Sequence, residues 1–84
     1  MKSSAQNPIM RQLKLMEAQL SEIHCQLIKA TVLNWWQIVL PDGQKIAIEH
    51  AGSGHWIFRA NGLEKAHPEV RLAVLRAIAE GCRK

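Results

Sequence analysis

The chain has 84 residues, of which 48% are hydrophobic and 21% charged, with a formal net charge of +4. That length leaves room for one domain whose single core is only marginally sufficient, so self-association or a staple is the expected supplement. The apolar content excludes a disordered chain, and the densest apolar run, Leu72 to Leu75, is bounded by Arg71 and Arg76. No stretch approaches the roughly 20 residues of a membrane span.

The first residues, from Met1 to Pro8, lack the apolar region of a secretory signal, so the expected location is cytoplasmic. Cys25 and Cys82 stand far apart and outside any Cys-x-x-Cys pair, and they read as free thiols in a reducing compartment. The positive charge is dilute. Lys2, Arg11, Lys14 and Lys29 against Glu17 and Glu22 leave +2 in residues 1–31. Residues 32–66 are neutral, and residues 67–84 carry +2 through Arg71, Arg76, Arg83 and Lys84 against Glu69 and Glu80. A strong nucleic-acid binder usually concentrates such charge on one face.

Residues 1–7 are polar and read as a flexible tail. From Pro8, apolar residues fall at Ile9, Leu13, Met16, Leu20, Ile23, Leu27 and Ala30, with gaps alternating between four and three. This is a heptad pattern, and it predicts an oligomerisation helix over residues 8–31, capped by Asn7 and opened by Pro8. Such a helix is roughly 35 Å long, against ~17–20 Å for a typical strand. It would overhang any sheet this chain can make. The expectation is therefore a homodimer joined through Ile9, Leu13, Met16, Leu20, Ile23 and Leu27. A helix lying on its own sheet shows similar spacing and is the simpler alternative. Gln12, Gln19 and Gln26 at the flanking positions carry no charge code, which leaves the helix orientation open.

Residues 32–84 read as a small α+β domain. Leu40 to Gln44 is a turn signal between two alternating, β-branched runs. A three-residue loop, with Gly43 left-handed, pairs Trp36 with Ile48, Ile38 with Ile46, Trp35 with Glu49 and Gln37 with Ala47. The link from Ala51 to Gly54 leads to a third run from His55 to Arg59. Closed tightly, it pairs His50 with His55, Ile48 with Ile57, Glu49 with Trp56 and Ala47 with Phe58. A one-residue slip there would exchange Trp56 and Phe58 with Ile57 between the two faces. Asn61 and Gly62 end the sheet, and Pro68 and Glu69 start a last helix with His67 as its cap. One stripe of that helix holds Val70, Val74, Ala77 and Ile78; a second holds Leu72, Leu75, Ala79 and Cys82; Gly81 is a natural terminator. The predicted fold is α-β-β-β-α: a long coiled-coil-like helix, a three-stranded antiparallel meander and a C-terminal helix packed on the sheet.

Chemistry-bearing patterns are sparse. His50 and His55 could face one another, but a metal site needs three or four ligands and no third has suitable spacing. Gly52-Ser53-Gly54-His55 is not a nucleophile elbow, and phosphate and dinucleotide loops are missing. The expectation is a non-enzymatic protein with no cofactor and no metal.

The aromatics are more informative: Trp35, Trp36, Trp56 and Phe58 are the only ones in the chain. Trp36 reads as core. Trp35, Trp56 and Phe58, with Arg59, are either core beneath the first helix or a partner-binding patch of the kind aromatic hot spots form. The expected function is a protein–protein interaction module of adaptor, regulator or inhibitor type, homodimeric and binding an unidentified protein. The alternative is a nucleic-acid-binding dimeric regulator, with single strands stacking on Trp35 and Trp56.

Overall fold

A computed structural model of the chain describes residues 8–52, 55–59 and 62–81. The expected tail over residues 1–7, the Asn7 cap, Asn61, Cys82, Arg83 and Lys84 lie outside the described residues. Helix α1 spans Pro8–Ser21, and four strands follow: β1 Gln26–Lys29, β2 Trp35–Val39, β3 Lys45–His50 and β4 Trp56–Phe58. Helices α2, Leu63–Ala66, and α3, Pro68–Gly81, complete the order. The sheet is an antiparallel meander in the order β1-β2-β3-β4. The class is α+β, with α1 and α3 packed together over one side of the sheet.

The first helix is ten residues shorter than the 8–31 span expected, and the sheet has a fourth strand in place of its last turns. The stop is local. His24 takes a left-handed backbone, φ 64°, and donates its N–H to Ser21 O at 3.1 Å, while Cys25 N–H reaches Leu20 O at 2.9 Å. These two bonds are a Schellman ending, here with histidine where glycine is usual. Cys25 follows into the core beside Leu20. From there the period is two: Cys25 and Leu27 turn inward, Gln26 and Ile28 outward.

The β2–β3 hairpin has the expected register, Trp35 with Glu49, Trp36 with Ile48, Gln37 with Ala47 and Ile38 with Ile46. Gly43 is left-handed at φ 93°, Leu40 N–H reaches Gln44 O at 2.8 Å, and Asp42 Oδ1 accepts from Gln44 N–H at 2.9 Å. That closes the three-residue loop over Pro41, Asp42 and Gly43.

The β3–β4 hairpin takes the slipped register. Ala51 N–H donates to His55 O at 2.8 Å, so His50 stands opposite Trp56, Glu49 opposite Ile57 and Ile48 opposite Phe58. The slip sends Trp56 and Phe58 to the side covered by the helices and Ile57 to the other side. Burial favours it: two aromatic side chains remove far more apolar area from water than one isoleucine.

The core lies between the helices and this face. Met16 and Leu20 of α1, Ile38, Ile46 and Ile48 of the sheet, and Val70, Val74 and Ala77 of α3 are fully buried. The Val70 stripe of α3 is thus the inward one. Leu72, Leu75 and Ala79 face outward. Gly81 is buried against α1, where an added Cβ would run into Gln12 and lie 3.2 Å from its Cα. It is the last residue of α3, where the sequence had pointed to a helix stop, and it also permits close helix approach.

Candidate interaction surface

Alternation along the strands leaves one sheet face without a helix among the described residues. Three rows cross it: Trp35, Glu49 and Ile57; then Ile28, Gln37 and Ala47, with Arg59 at the far edge; then Gln26, Val39 and Lys45. Ile28 and Ile57 are each 39% exposed, large for β-branched side chains in strands. Arg59 ties the middle together. Its guanidinium forms a 2.7 Å ion pair with Glu49 and stands 6.0 Å from the centre of the Trp35 ring. The result is a mixed surface in which Trp35, Ile28, Val39, Ala47 and Ile57 surround one neutralised ion pair, with Gln26, Gln37 and Lys45 among them.

The expected partner-binding residues therefore separate. Trp35 and Arg59 lie on the open face. Trp56 and Phe58 do not: they pack against the core beneath the helices. Trp56 sits 5.3 Å from Trp36 and 4.9 Å from His50, and its indole Nε1 donates to Gln12 Oε1 at 2.9 Å. Gln12, itself buried, also donates to Ile78 O at 3.5 Å, linking α1 to both β4 and α3. Ile57 and Ile28 belong to the open face in their stead, beside Glu49, which the expected β2–β3 register had already set opposite Trp35. The signal for Ile57 was the slipped register; Ile28 was concealed by the helical reading of its segment.

The heptad positions are also redistributed. Met16 and Leu20 are fully buried within one chain, against α3 and the sheet, and so are not presented to a partner helix. Ile23 lies in the turn after α1, and Leu27 lies in β1 opposite Ile38. Ile9 and Leu13 remain half-buried on α1. Leu13 and Leu27 line a groove of about 270 Å³, with Trp36 and Met10 beside them and Lys14, Glu17 and Lys29 at its rim.

His50 and His55 do not face each other, since His55 pairs with Ala51. His50 Nε2 is buried without a hydrogen-bond partner among the described residues. No group of three or more His, Cys, Asp or Glu among the described residues could hold a metal ion. Burial pushes the Cys25 thiol above its ordinary pKa, and the charges of Glu69 and Asp42 add to the effect. A neutral thiol in that setting is a poor nucleophile. No helix among the described residues is long and apolar enough to cross a membrane. Set against models of known protein families, curated proteins and solved structures, the chain matches none.

Proposed function

We propose that the chain is a non-enzymatic protein-interaction module that self-associates and offers its open sheet face to a partner protein. The observation that carries this reading is the one-sided sheet: both long helices cover the same face, and Ile28, Trp35, Val39 and Ile57 are left on the other. Trp35 supplies the aromatic anchor, and the Glu49–Arg59 pair supplies a polar contact of fixed geometry. The expected setting is the cytoplasm, where the free Cys25 thiol stays reduced. Nucleic acid is the weaker partner class, because Arg59 is already neutralised by Glu49 and, among the described residues, only Lys45 adds positive charge to that face.

The test compares the wild type with Trp35→Ala and Ile57→Lys in pull-downs from the native host, with and without nuclease. Both variants are expected to melt like the wild type within a few degrees and to lose a defined, nuclease-resistant protein partner. Undiminished capture by both variants would remove the open face from the function. Nuclease-sensitive recovery that falls steeply with salt would transfer the reading to nucleic acid.

A further inference from the structure

We propose that two copies of the chain pair along the outer edges of β1, about a twofold axis through Ile28, and so form one continuous sheet. The proposal rests on the self-association read above and gives it a location.

β1 ends the sheet and pairs only with β2. Ala30 N–H donates to Trp35 O at 3.1 Å, which sets the parity of that ladder. In an antiparallel pair the hydrogen-bonded positions alternate, so Ile28 and Gln26 exchange bonds with β2. The N–H and C=O groups of Leu27 and Lys29 therefore point out of the sheet, and no described element takes them up. Such an edge is a template for another strand.

The edge is complementary to itself. An antiparallel copy centred on Ile28 sets Leu27 opposite Lys29 of the second copy, and Lys29 opposite its Leu27. Both outward-facing residues are then satisfied in each chain. Ile28 meets its own equivalent at a non-hydrogen-bonded position, where Cα atoms stand about 4.5 Å apart and side chains are closest. Lysine on an edge usually discourages pairing. Here Lys29 Nζ is held inside its own chain, donating to Ala30 O at 2.8 Å and Val32 O at 2.9 Å.

The flanks fit the same axis. Helix α1 crosses the sheet obliquely, since Gln12 reaches Trp56 on β4 whereas Cys25 leads directly into β1. That divergence opens the groove of about 270 Å³ above Leu27 and Lys29. Its rim carries Lys14 and Glu17, and an antiparallel α1 from a second copy brings opposite charges face to face. Beyond Lys29 the chain runs past Gln26 and Cys25 of the second copy. There Val32 and Leu33, 53% and 80% exposed, come over a second groove of about 270 Å³ lined by Ser21, Cys25 and Gln26. Met10, Ile28, Val32 and Leu33 are four of the seven large apolar side chains exposed among the described residues, and all flank this edge. β4, the opposite edge, has only three residues.

Light scattering and disulfide trapping test the proposal. The wild type is expected at twice the 9.5 kDa mass of one chain at micromolar concentration. In a Cys82→Ser background, Ile28→Cys should form a covalent dimer under mild oxidation, because its Cα spacing lies within disulfide range. Ala47→Cys, on the open face, should not. Leu33→Asp should weaken the dimer by roughly tenfold or more, by removing an apolar side chain from the contact and bringing a carboxylate to a groove that Glu17 also lines, with an unchanged circular dichroism spectrum. A dimer trapped by Ala47→Cys and not by Ile28→Cys overturns the β1 edge while leaving self-association standing. A 9.5 kDa species at every concentration overturns both.

Discussion

Replacing Gly81 by alanine separates close helix packing from helix propensity, because the two predict opposite signs. In a helix alanine is favoured over glycine by up to about 1 kcal/mol. Gly81, however, is buried, with Gln12 of α1 against it. A Cβ there would collide with Gln12 Cγ and lie 3.2 Å from Gln12 Cα and 3.3 Å from Gln12 Cβ. A flexible side-chain end could turn aside, but the backbone contact requires α1 to move. Overpacking of this kind costs about 1–3 kcal/mol. Moving Gln12 also strains its 2.9 Å bond from Trp56 Nε1, worth about 1 kcal/mol. The net expectation is a loss of roughly 1–3 kcal/mol, or about 5–20 °C in Tm for a chain of this size. Urea titration followed by tryptophan fluorescence measures it, since Trp56 is bonded to Gln12 and lies 5.3 Å from Trp36. Gln12→Ala removes the colliding Cγ, so in that background Gly81→Ala should cost less than in the wild type, and the cycle isolates the pair. A Gly81→Ala protein more stable than the wild type would show that α1 and α3 do not approach this closely.

Other perturbations probe the turn, the core and the buried thiol. His24→Gly should raise stability by about 1 kcal/mol in urea titration, because histidine is held at φ 64° and its side chain is exposed. Trp56→Ala should cost about 3 kcal/mol, the low end for core aromatics, because the ring is partly buried against the core. Trp35→Ala on the open face should cost roughly 1 kcal/mol or less in the same thermal melts. The Cys25 thiol is raised in the folded chain, so above the ordinary thiol pKa the unfolded chain releases its proton first and stability should fall as pH rises. Cys25→Ser should flatten that alkaline slope in denaturant titrations, and in a Cys82→Ser background alkylation of the buried Cys25 should be slow until urea is added.

Much of the sheet was legible because turn chemistry and alternation agree there. Leu40 to Gln44 has a single loop that separates Trp36, Ile38, Ile46 and Ile48 from their polar neighbours, and the structure uses it. The second hairpin was less constrained, since glycines at 52 and 54 permit more than one closure. Weighing the two registers by buried area, Trp56 with Phe58 against Ile57 alone, favours the observed one. For Trp35 the sequence left core and surface open, and the fold sets it, with Arg59, on the face away from the helices. Glu49 beside Trp35 follows from the first hairpin, whereas Ile57 depends on the register of the second. Gly81 shows the limit of local reading: α3 ends at this glycine as a local signal suggests, but only the position of α1 reveals that the missing side chain also makes room for Gln12.

The helix that ends early decides where this chain has surface to offer. Gaps of three and four residues run from Ile9 to Ala30, yet over Ile23 to Ile28 the same letters satisfy a period of two, with Ile23, Cys25 and Leu27 more buried than His24, Gln26 and Ile28. The two periods coincide at Ile23 and Leu27, so apolar spacing alone cannot separate them. Residues from His24 to Lys29 contain no proline or glycine to mark the break, and histidine supplies the left-handed turn at a cost glycine would avoid. Tertiary packing settles the choice. Once α3 covers Met16 and Leu20, a longer helix has nothing left to bury along its last turns, whereas a strand at 26–29 covers one edge of the β2 ladder and places Leu27 beside the core. The apolar demand then moves from a helical seam to the outer edge of β1 and the open face next to it. A partner recruited by this chain should accordingly compete with, or bridge, surfaces that meet at Ile28.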